Sequence, residues 1–132
     1  MPRVSGIGGV FFKSADPAKL SDWYRKHLDI PVQSWGGALF PWKPVDGGPP
    51  AYTLWSPFAA DTKYFQPSAR EFMINLRVDD LDGVLTALRA EGCQVLDDRR
   101  EDSEQGRFGY VLDPEGTLIE LWQPSPDDSS LA

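Results

Sequence analysis

Residues that commonly hold metal ions or disulfides are scarce in this sequence. Its 132 residues include one cysteine, Cys93, and one histidine, His27. A lone cysteine forms no internal disulfide and gives no CxxC metal-binding spacing, so we expect Cys93 to be a small buried hydrophobic residue. This cysteine usage is typical of a reducing compartment, and we expect the protein to be cytoplasmic.

Long apolar segments and an excess of basic residues are absent as well. No run approaches the roughly 18 apolar residues that cross a bilayer, and the N-terminal MPRVSGIGG lacks the apolar centre of a signal peptide. With 13 basic and 20 acidic residues the net charge is −7, which leaves little basic surface for neutralising phosphates. We therefore expect neither a membrane nor a nucleic acid as a partner.

What is present suits a single folded domain over residues 1–132. A chain of this length buries a core without disulfides or a structural metal. The composition, 41% hydrophobic and 12% aromatic, is that of a globular protein. Because there are 12 glycines and 12 prolines, we expect short elements joined by tight turns.

A repeat runs through the chain. The hexapeptides YTLWSP at 52–57 and IELWQP at 119–124 lie 67 positions apart, and GGVFFKSADP at 8–17 matches FMINLRVDDL at 72–81 with an offset of 64. The chain is therefore interpreted as a duplicated unit. Its parts are repeat one at about 3–57, a linker at 58–69, repeat two at about 70–124 and a polar tail at 125–132.

Each repeat predicts one strand, then one helix and three shorter strands, which is a βαβββ unit of an α+β fold. Runs of apolar, aromatic and β-branched residues indicate opening strands at 6–13 and 72–78. The later strands are predicted, in chain order, at 32–35, 38–42, 51–55, 94–97, 107–112 and 117–122.

The helix boundaries are marked by capping and terminating residues. Asp16 and Asp80 are predicted as N-caps, because a carboxylate there accepts from free backbone N–H groups. The helices are predicted to end before Pro31 and at Gly92. His27 then lies on or beside the buried stripe of the first helix.

This arrangement and three of its segments resemble the vicinal oxygen chelate superfamily, which includes glyoxalase I, bleomycin-resistance proteins and extradiol dioxygenases. The segments are WYRKHLDIPV at 23–32, RVDDLDGVLTALRAEG at 77–92 and DPEGTLIELWQP at 113–124. The resemblance implies a glyoxalase-like fold, in which two βαβββ repeats curl their sheets into a cup that a homodimer partner often completes. It also implies a divalent metal near the cup floor in the enzymes.

The metal positions that the resemblance implies are poorly filled. Gly9 and Met73 stand where the two repeats usually carry histidine, and Thr53 and Glu120 stand at the acidic positions of the closing strands. Glycine has no ligand atom, and a thioether is a poor ligand for hard divalent ions. One carboxylate falls short of the three protein ligands of a catalytic site. We therefore expect no metal and no other cofactor, with Glu120 as the remaining candidate for catalysis.

Strand alternation predicts which side chains share the cup, because residues i and i+2 face the same side of a sheet. If the four metal positions face inward, the same faces also carry Phe11, Lys13, Trp55, Asn75, Arg77 and Trp122. Apolar walls with few polar groups are typical of a small-molecule pocket. The predicted ligand contacts are Phe11, Thr53, Trp55, Met73, Asn75 and Trp122. Alternatively, the two tryptophans only pack between repeats or subunits.

The function expected from these observations is the binding of a small organic molecule in an aromatic cup, without the usual divalent metal. Two alternatives stay open. One is a lyase, isomerase or dioxygenase of the same superfamily that uses Glu120 as a general acid or base, or that holds an atypical metal. The other is a non-catalytic module that only dimerises. The expected partners are a small-molecule ligand and a second copy of the chain.

Overall fold

Two helices and eight strands make up the fold in the computed structural model, which describes residues 4–45, 47–126, 128 and 130. Repeat one contains β1 (Val4–Ser14), α1 (Pro17–Leu28), β2 (Ala38–Trp42) and β3 (Ala51–Ala59). Repeat two contains β4 (Phe72–Val78), α2 (Leu81–Ala90), β5 (Gln94–Val95), β6 (Glu101–Ser103), β7 (Gly106–Leu112) and β8 (Leu118–Pro124). A short 3₁₀ turn at Asp97–Arg99 separates β5 from β6.

These eight strands join one mixed sheet. Its order is β2, β3, β1, β4, β8, β7 and β5, with β6 also paired to β7. At the centre β1 and β4 run antiparallel, with Gly9 opposite Asn75 and Phe11 opposite Met73. On either side, β1 pairs in parallel with β3, and β4 with β8. The repeats therefore meet along β1 and β4, and the predicted α+β, glyoxalase-like fold is confirmed.

Both helices begin at the aspartates that the sequence predicts as caps. Asp16 accepts a hydrogen bond from the backbone N–H of Lys19 at 3.2 Å, and Asp80 accepts one from Gly83 at 3.1 Å. Pro17 follows the first cap, at a position where its missing N–H would have no helical partner. These carboxylates are therefore engaged in holding helix ends.

The first repeat lacks one of its predicted strands. At 32–35 the chain turns instead, with the N–H of Gln33 donating to Gly37 O at 2.7 Å and that of Gly36 donating to Gln33 O at 2.9 Å. Gly36 has a φ of 99°, a left-handed conformation that favours glycine. Because local bonds use these backbone groups, the segment does not extend the sheet. The prediction of a strand at 32–35 is wrong, and repeat one is a βαββ unit.

Other element boundaries also differ from those predicted. β5 ends at Val95 rather than at position 97, because the chain enters the 3₁₀ turn there. The short strand β6 was not predicted. β3 continues to Ala59, so the interval 58–69 begins as strand and not as linker.

Cys93, which the sequence predicts to be buried, lies at the surface. It is exposed, because it follows the end of α2, where its N–H donates to Leu88 O, so the prediction of a buried Cys93 is wrong. His27, predicted on or beside the buried stripe of α1, is exposed and lies 5.0 Å, between ring centroids, from the half-exposed Trp23. α1 instead contacts the sheet through Tyr24, whose ring lies 4.9 Å from that of Trp55 on β3.

Apolar clusters lie on both faces of the sheet. Beneath α2 the buried members are Val78, Leu81, Leu85, Val111 and Leu121. On the opposite, inner face they are Phe11, Phe65, Met73, Tyr110 and Leu118. Phe65 belongs to the segment between β3 and β4, which therefore covers part of the inner face as well as joining the repeats.

Leu85→Ala should destabilise the fold by about 2 to 5 kcal/mol, because a buried leucine that is truncated leaves a cavity. Leu85 is 2% exposed between α2 and the sheet. The matched control is Leu28→Ala at the end of α1, where the side chain is 59% exposed and we expect a change within about 0.5 kcal/mol. Urea unfolding of both variants measures the difference. Equal losses would contradict the packing of α2 on the sheet.

Candidate functional site

One row of side chains crosses the floor of the cup from strand to strand. Leu54 on β3 is in register with Gly9 on β1, which lies opposite Asn75 on β4. Asn75 is in turn in register with Glu120 on β8, and Glu120 with Tyr110 on β7. Positions in register point to the same face of a sheet. These five residues therefore form one row on the inner face, and three of them, Leu54, Asn75 and Glu120, line one cavity.

The carboxylate of Glu120 is the buried polar centre of this row. Glu120 is 2% exposed, and its Oε1 accepts a hydrogen bond from Asn75 Nδ2 at 2.7 Å. Its Oε2 accepts from the hydroxyl of Tyr110 at 2.5 Å and also from the hydroxyl of Tyr64. A buried carboxylate requires such donors, because removal from water is otherwise strongly unfavourable. Three donors from separate parts of the chain hold this charge.

Tyr64 brings the segment between β3 and β4 into the site. Its hydroxyl lies 2.9 Å from that of Tyr110. Arg99 fixes the backbone of the same segment, since its Nη1 donates to the carbonyls of Tyr64 at 3.0 Å and Gln66 at 2.8 Å. The guanidinium of Arg99 also lies 4.3 Å from the ring centroid of Tyr110. The segment is thus held in place both through the side chain of Tyr64 and through its own backbone carbonyls.

The two tyrosines at the carboxylate are held in their protonated form. Burial raises the pKa of Tyr110 far above its usual value, and the charge of Glu120 raises it further. Burial and then Glu120 also raise the pKa of Tyr64. Both hydroxyls consequently keep their protons near neutral pH and donate them to the carboxylate.

A cavity of about 450 Å³ lies against this floor. Its aromatic lining consists of Phe11, Trp35, Tyr52, Phe108 and Trp122, and its aliphatic lining of Leu39 and Leu54. Asn75 and Glu120 are its buried polar residues. The rings of Phe108 and Trp122 stack with centroids 6.0 Å apart and planes only 4° from parallel. The cavity therefore has mostly apolar walls and a small polar floor.

The amide oxygen of Asn75 is unpaired at this floor. Within the part of the chain that the structure describes, Asn75 Oδ1 is buried and has no hydrogen-bond partner. Gly8 provides the space that the amide occupies, because a Cβ at Gly8 would lie 2.1 Å from Asn75 Oδ1 and 2.8 Å from Trp122 Cε3. Glycine at this position is thus required by the close approach of Asn75.

Two predicted ligand contacts, Thr53 and Trp55, lie on the wrong side of the sheet. The hydroxyl of Thr53 accepts from Trp42 Nε1 at 2.8 Å and donates to Ile7 O at 2.5 Å. The ring of Trp55 lies 4.9 Å from that of Tyr24 on α1. Side chains alternate between the two faces within one strand. Leu54, and not Thr53, is in register with Gly9, so the alignment of the two hexapeptides is one residue out of step with the pairing of the strands.

The other predicted site residues are on the inner face. Phe11, Asn75, Glu120 and Trp122 line the cavity together. Met73 is fully buried in the neighbouring apolar cluster with Phe11, so it supports the floor rather than lining the cavity.

Several residues of the site were not predicted. Tyr52 and Leu54 take the inner positions on β3, whereas the alignment of Thr53 with Glu120 places them on the other face. Phe108 and Tyr110 could have been found from alternation on β7, since they face the inner positions of β8 across the hairpin. Tyr64 carries no such signal, because only tertiary folding brings its segment to Glu120.

Arg77, another predicted inner residue, lies in an aromatic cage. Its Cζ is 4.9 Å from the ring centroid of Trp122, 5.5 Å from that of Tyr52 and 5.8 Å from that of Trp42. Burial lowers the pKa of Arg77, although Tyr52 and Asp128 act in the opposite direction. Arg77 lines a neighbouring cavity of about 560 Å³. It therefore braces the rings of the cup wall.

The superfamily's divalent metal does not fit the residues present. The ring of Phe11 covers Gly9, since a Cβ there would lie 2.6 Å from Phe11 Cζ. Met73 lies in the apolar cluster, and Thr53 lies on the opposite face. Among the described residues no three of the types His, Cys, Asp and Glu lie together as a ligand group. Glu120 is thus an isolated carboxylate, and its two oxygens already accept three donors.

With this geometry established, the sequence places the chain in a family. The sequence model of the glyoxalase-like domain family matches residues 9–122, which is most of the chain. The protein therefore belongs to the glyoxalase-like domain family. No curated protein sequence matches it.

Solved structures share the fold at low sequence identity. A methylmalonyl-CoA epimerase in complex with methylmalonyl-CoA and NH₄⁺ has a TM-score of 0.66 at 18% identity, covering 96% of this chain and 99% of its own. Methylmalonyl-CoA epimerase from Mycobacterium tuberculosis has a TM-score of 0.61 at 22% identity, and the match covers 93% of this chain and 90% of the epimerase chain. A Legionella pneumophila structure described as NAD-dependent benzaldehyde dehydrogenase has a TM-score of 0.59 at 17% identity. The match covers 89% of this chain and 98% of that structure's chain. These similarities establish the fold alone.

The described helices, α1 and α2, are both too short and too polar to cross a membrane.

The raised tyrosine pKa values predict a loss of stability in alkali. Unfolded tyrosines ionise near pH 10, whereas the pKa of Tyr52 in the folded chain is raised to about 12 by burial and by its hydrogen bond to Asp128. The pKa values of Tyr64 and Tyr110 are raised as well. Above pH of about 10 the unfolded chain therefore binds fewer protons than the folded one, and the free energy of unfolding falls as pH rises.

Urea unfolding from pH of about 8 to about 12 measures this slope. We expect Tyr110→Phe to be less stable than the parent near neutral pH, because Glu120 loses a donor, and to show a shallower decline above pH of about 10. A decline as steep as that of the parent protein would contradict the protonated tyrosine at the floor.

Proposed function

We propose that this protein binds a small organic molecule in the cup, without a divalent metal. The observation that carries the proposal is a cavity of about 450 Å³ with mostly apolar walls and a buried, unpaired amide oxygen at its floor. Apolar walls supply affinity in small-molecule sites, and a few polar groups set orientation. The cup has both parts of this arrangement.

The rigidity of the aromatic wall supports a binding role. Trp122 is 2% exposed, stacks with Phe108 and contacts Tyr52 edge-on at 5.5 Å between centroids. Its indole N–H donates to Gln105 O at 3.0 Å. Rings held from several sides lose little freedom when a ligand arrives, so their contact area is available for affinity.

Phe108→Ala should weaken the binding of planar aromatic fragments about tenfold, because it removes one ring of the stacked wall. The matched control is Phe72→Ala, which removes a ring of the same size that is 42% exposed and does not line the cavity. Ligand-detected NMR with a panel of one- and two-ring fragments, followed by calorimetry of the hits, measures both variants. Absence of binding by every fragment would contradict the proposal.

An enzyme of the same superfamily is the second candidate, and the cluster around Glu120 is the observation that favours it. Two protonated tyrosines and a carboxylate share hydrogen bonds at the cavity floor. Such a cluster can hold a proton and move it between the two tyrosine hydroxyls and the carboxylate of Glu120. The carboxylate is nevertheless saturated at Oε2, and a ligand-orienting role accounts for the same contacts.

Elemental analysis of protein purified without chelators separates two of these possibilities. The proposal expects no stoichiometric metal, because Glu120 belongs to no group of three His, Cys, Asp or Glu side chains in the part of the chain that the structure describes. Stoichiometric zinc, nickel, manganese or iron would favour an enzyme with an atypical site. In that case Glu120→Gln should lose the bound metal, while Glu115→Gln, at a side chain that is 83% exposed, should retain it.

Dimerisation and a cytoplasmic location, both expected from the sequence, stay predictions. Light scattering of the purified chain measures the first directly.

A further inference from the structure

The orientation of the Asn75 amide is set by the charge beside it. Glu120 accepts from two hydroxyls and from the Asn75 amide nitrogen, and a carboxylate offers no proton in return. The nitrogen of Asn75 must therefore point toward Glu120, and the oxygen must point away. That oxygen is the buried acceptor without a partner among the described residues.

A second acceptor lies beside it. Each carboxylate oxygen has room for two donors. Oε2 of Glu120 is filled by Tyr64 and Tyr110, whereas Asn75 is the donor recorded at Oε1. Because Asn75 and Glu120 are in register on adjacent parallel strands, the two incomplete acceptors are neighbours. A buried acceptor is normally satisfied by protein, water or ligand, and the cavity that both residues line brings a ligand next to this pair.

Three donors of the cavity lining are already committed. Trp122 Nε1 donates to Gln105 O at 3.0 Å, and the hydroxyl of Tyr52 donates to Asp128. Gln33 Nε2 donates to Pro31 O at 2.9 Å. At the floor itself, Asn75 Oδ1 and Glu120 Oε1 offer acceptors. A ligand that brings acceptors there would meet none of these three donors free.

We propose that the ligand is a planar molecule with forked N–H donors, of the amidinium, guanidinium or amino-heterocycle class. This inference rests on the proposed binding function. One N–H of the ligand donates to Asn75 Oδ1 and a second donates to Glu120 Oε1. The second hydrogen bond is charge-assisted when the ligand is cationic. The flat part lies along the aromatic wall of Phe108 and Trp122. The net charge of −7 favours the approach of a cation.

Three matched probes test this assignment. 2-Naphthamidine, 2-naphthoate and 2-methylnaphthalene share one ring system and carry donors, acceptors or neither. We expect naphthamidine to bind about tenfold more tightly than naphthoate, at a salt concentration that screens surface charge. In the unmodified protein, the side-chain amide signals of Asn75 should shift in ¹H–¹⁵N spectra with naphthamidine and not with methylnaphthalene.

Variants test which residues cause the preference for naphthamidine over naphthoate. Glu120→Gln should reduce the naphthamidine preference at least about threefold, because the charge-assisted bond is lost. Glu115→Gln removes the same charge from an exposed side chain and should leave the preference unchanged. Asn75→Leu, which removes the unpaired oxygen, should weaken naphthamidine while methylnaphthalene binds as before. If either floor variant does not fold, the Asn75 signals of the parent protein decide the outcome.

The failure of this inference is distinct from the failure of the binding proposal. Equal or tighter binding of naphthoate, or naphthamidine binding that leaves the Asn75 amide signals unmoved, would overturn the donor assignment while the cup remained a binding site. Binding of none of the three probes would overturn both.

Discussion

The buried carboxylate of Glu120 is the interaction on which the rest of the cup depends. Its donors come from β4, from β7 and from the segment that joins the repeats. A hydrogen bond to a charged group contributes about 1.5 to 3 kcal/mol, so loss of any one donor would destabilise the buried carboxylate. The carboxylate therefore ties β8 to three other parts of the chain, and the same bonds determine which acceptors remain for a ligand.

The central seam makes this floor possible. The pairing of β1 with β4 is interrupted twice by register shifts, and both Gly8 and Gly9 are buried there. Gly8 leaves space for the amide of Asn75, and Gly9 leaves space for the ring of Phe11. Where the superfamily's enzymes carry a metal ligand, this chain has an aromatic ring over a glycine. The scaffold thus presents an apolar cavity with an amide and a carboxylate at its floor.

Much of the architecture could be predicted because it depends on local chemistry. The helix caps at Asp16 and Asp80 follow from side chains that accept nearby N–H groups, and the apolar face of α2 follows from its periodicity. The inner positions of β4 and β8 follow from alternation. The face of β3 could not be predicted, because it depends on the register in which β3 pairs with β1, and a slip of one residue in register moves every side chain to the other face. The turn at 32–35 was missed since its bonds close within a few residues.

By itself, the sequence determined the duplicated α+β fold, the two capped helices and the inner positions of Asn75, Glu120 and Trp122 on their strands, because each depends on residue type and short-range spacing. Tertiary structure alone decided that Tyr64 meets Glu120, that Tyr52 and Leu54 replace Thr53 and Trp55 in the cup, and that one amide oxygen lacks a donor. Those outcomes depend on strand register and on contacts between distant segments. Neither is encoded by the spacing of residues along the chain.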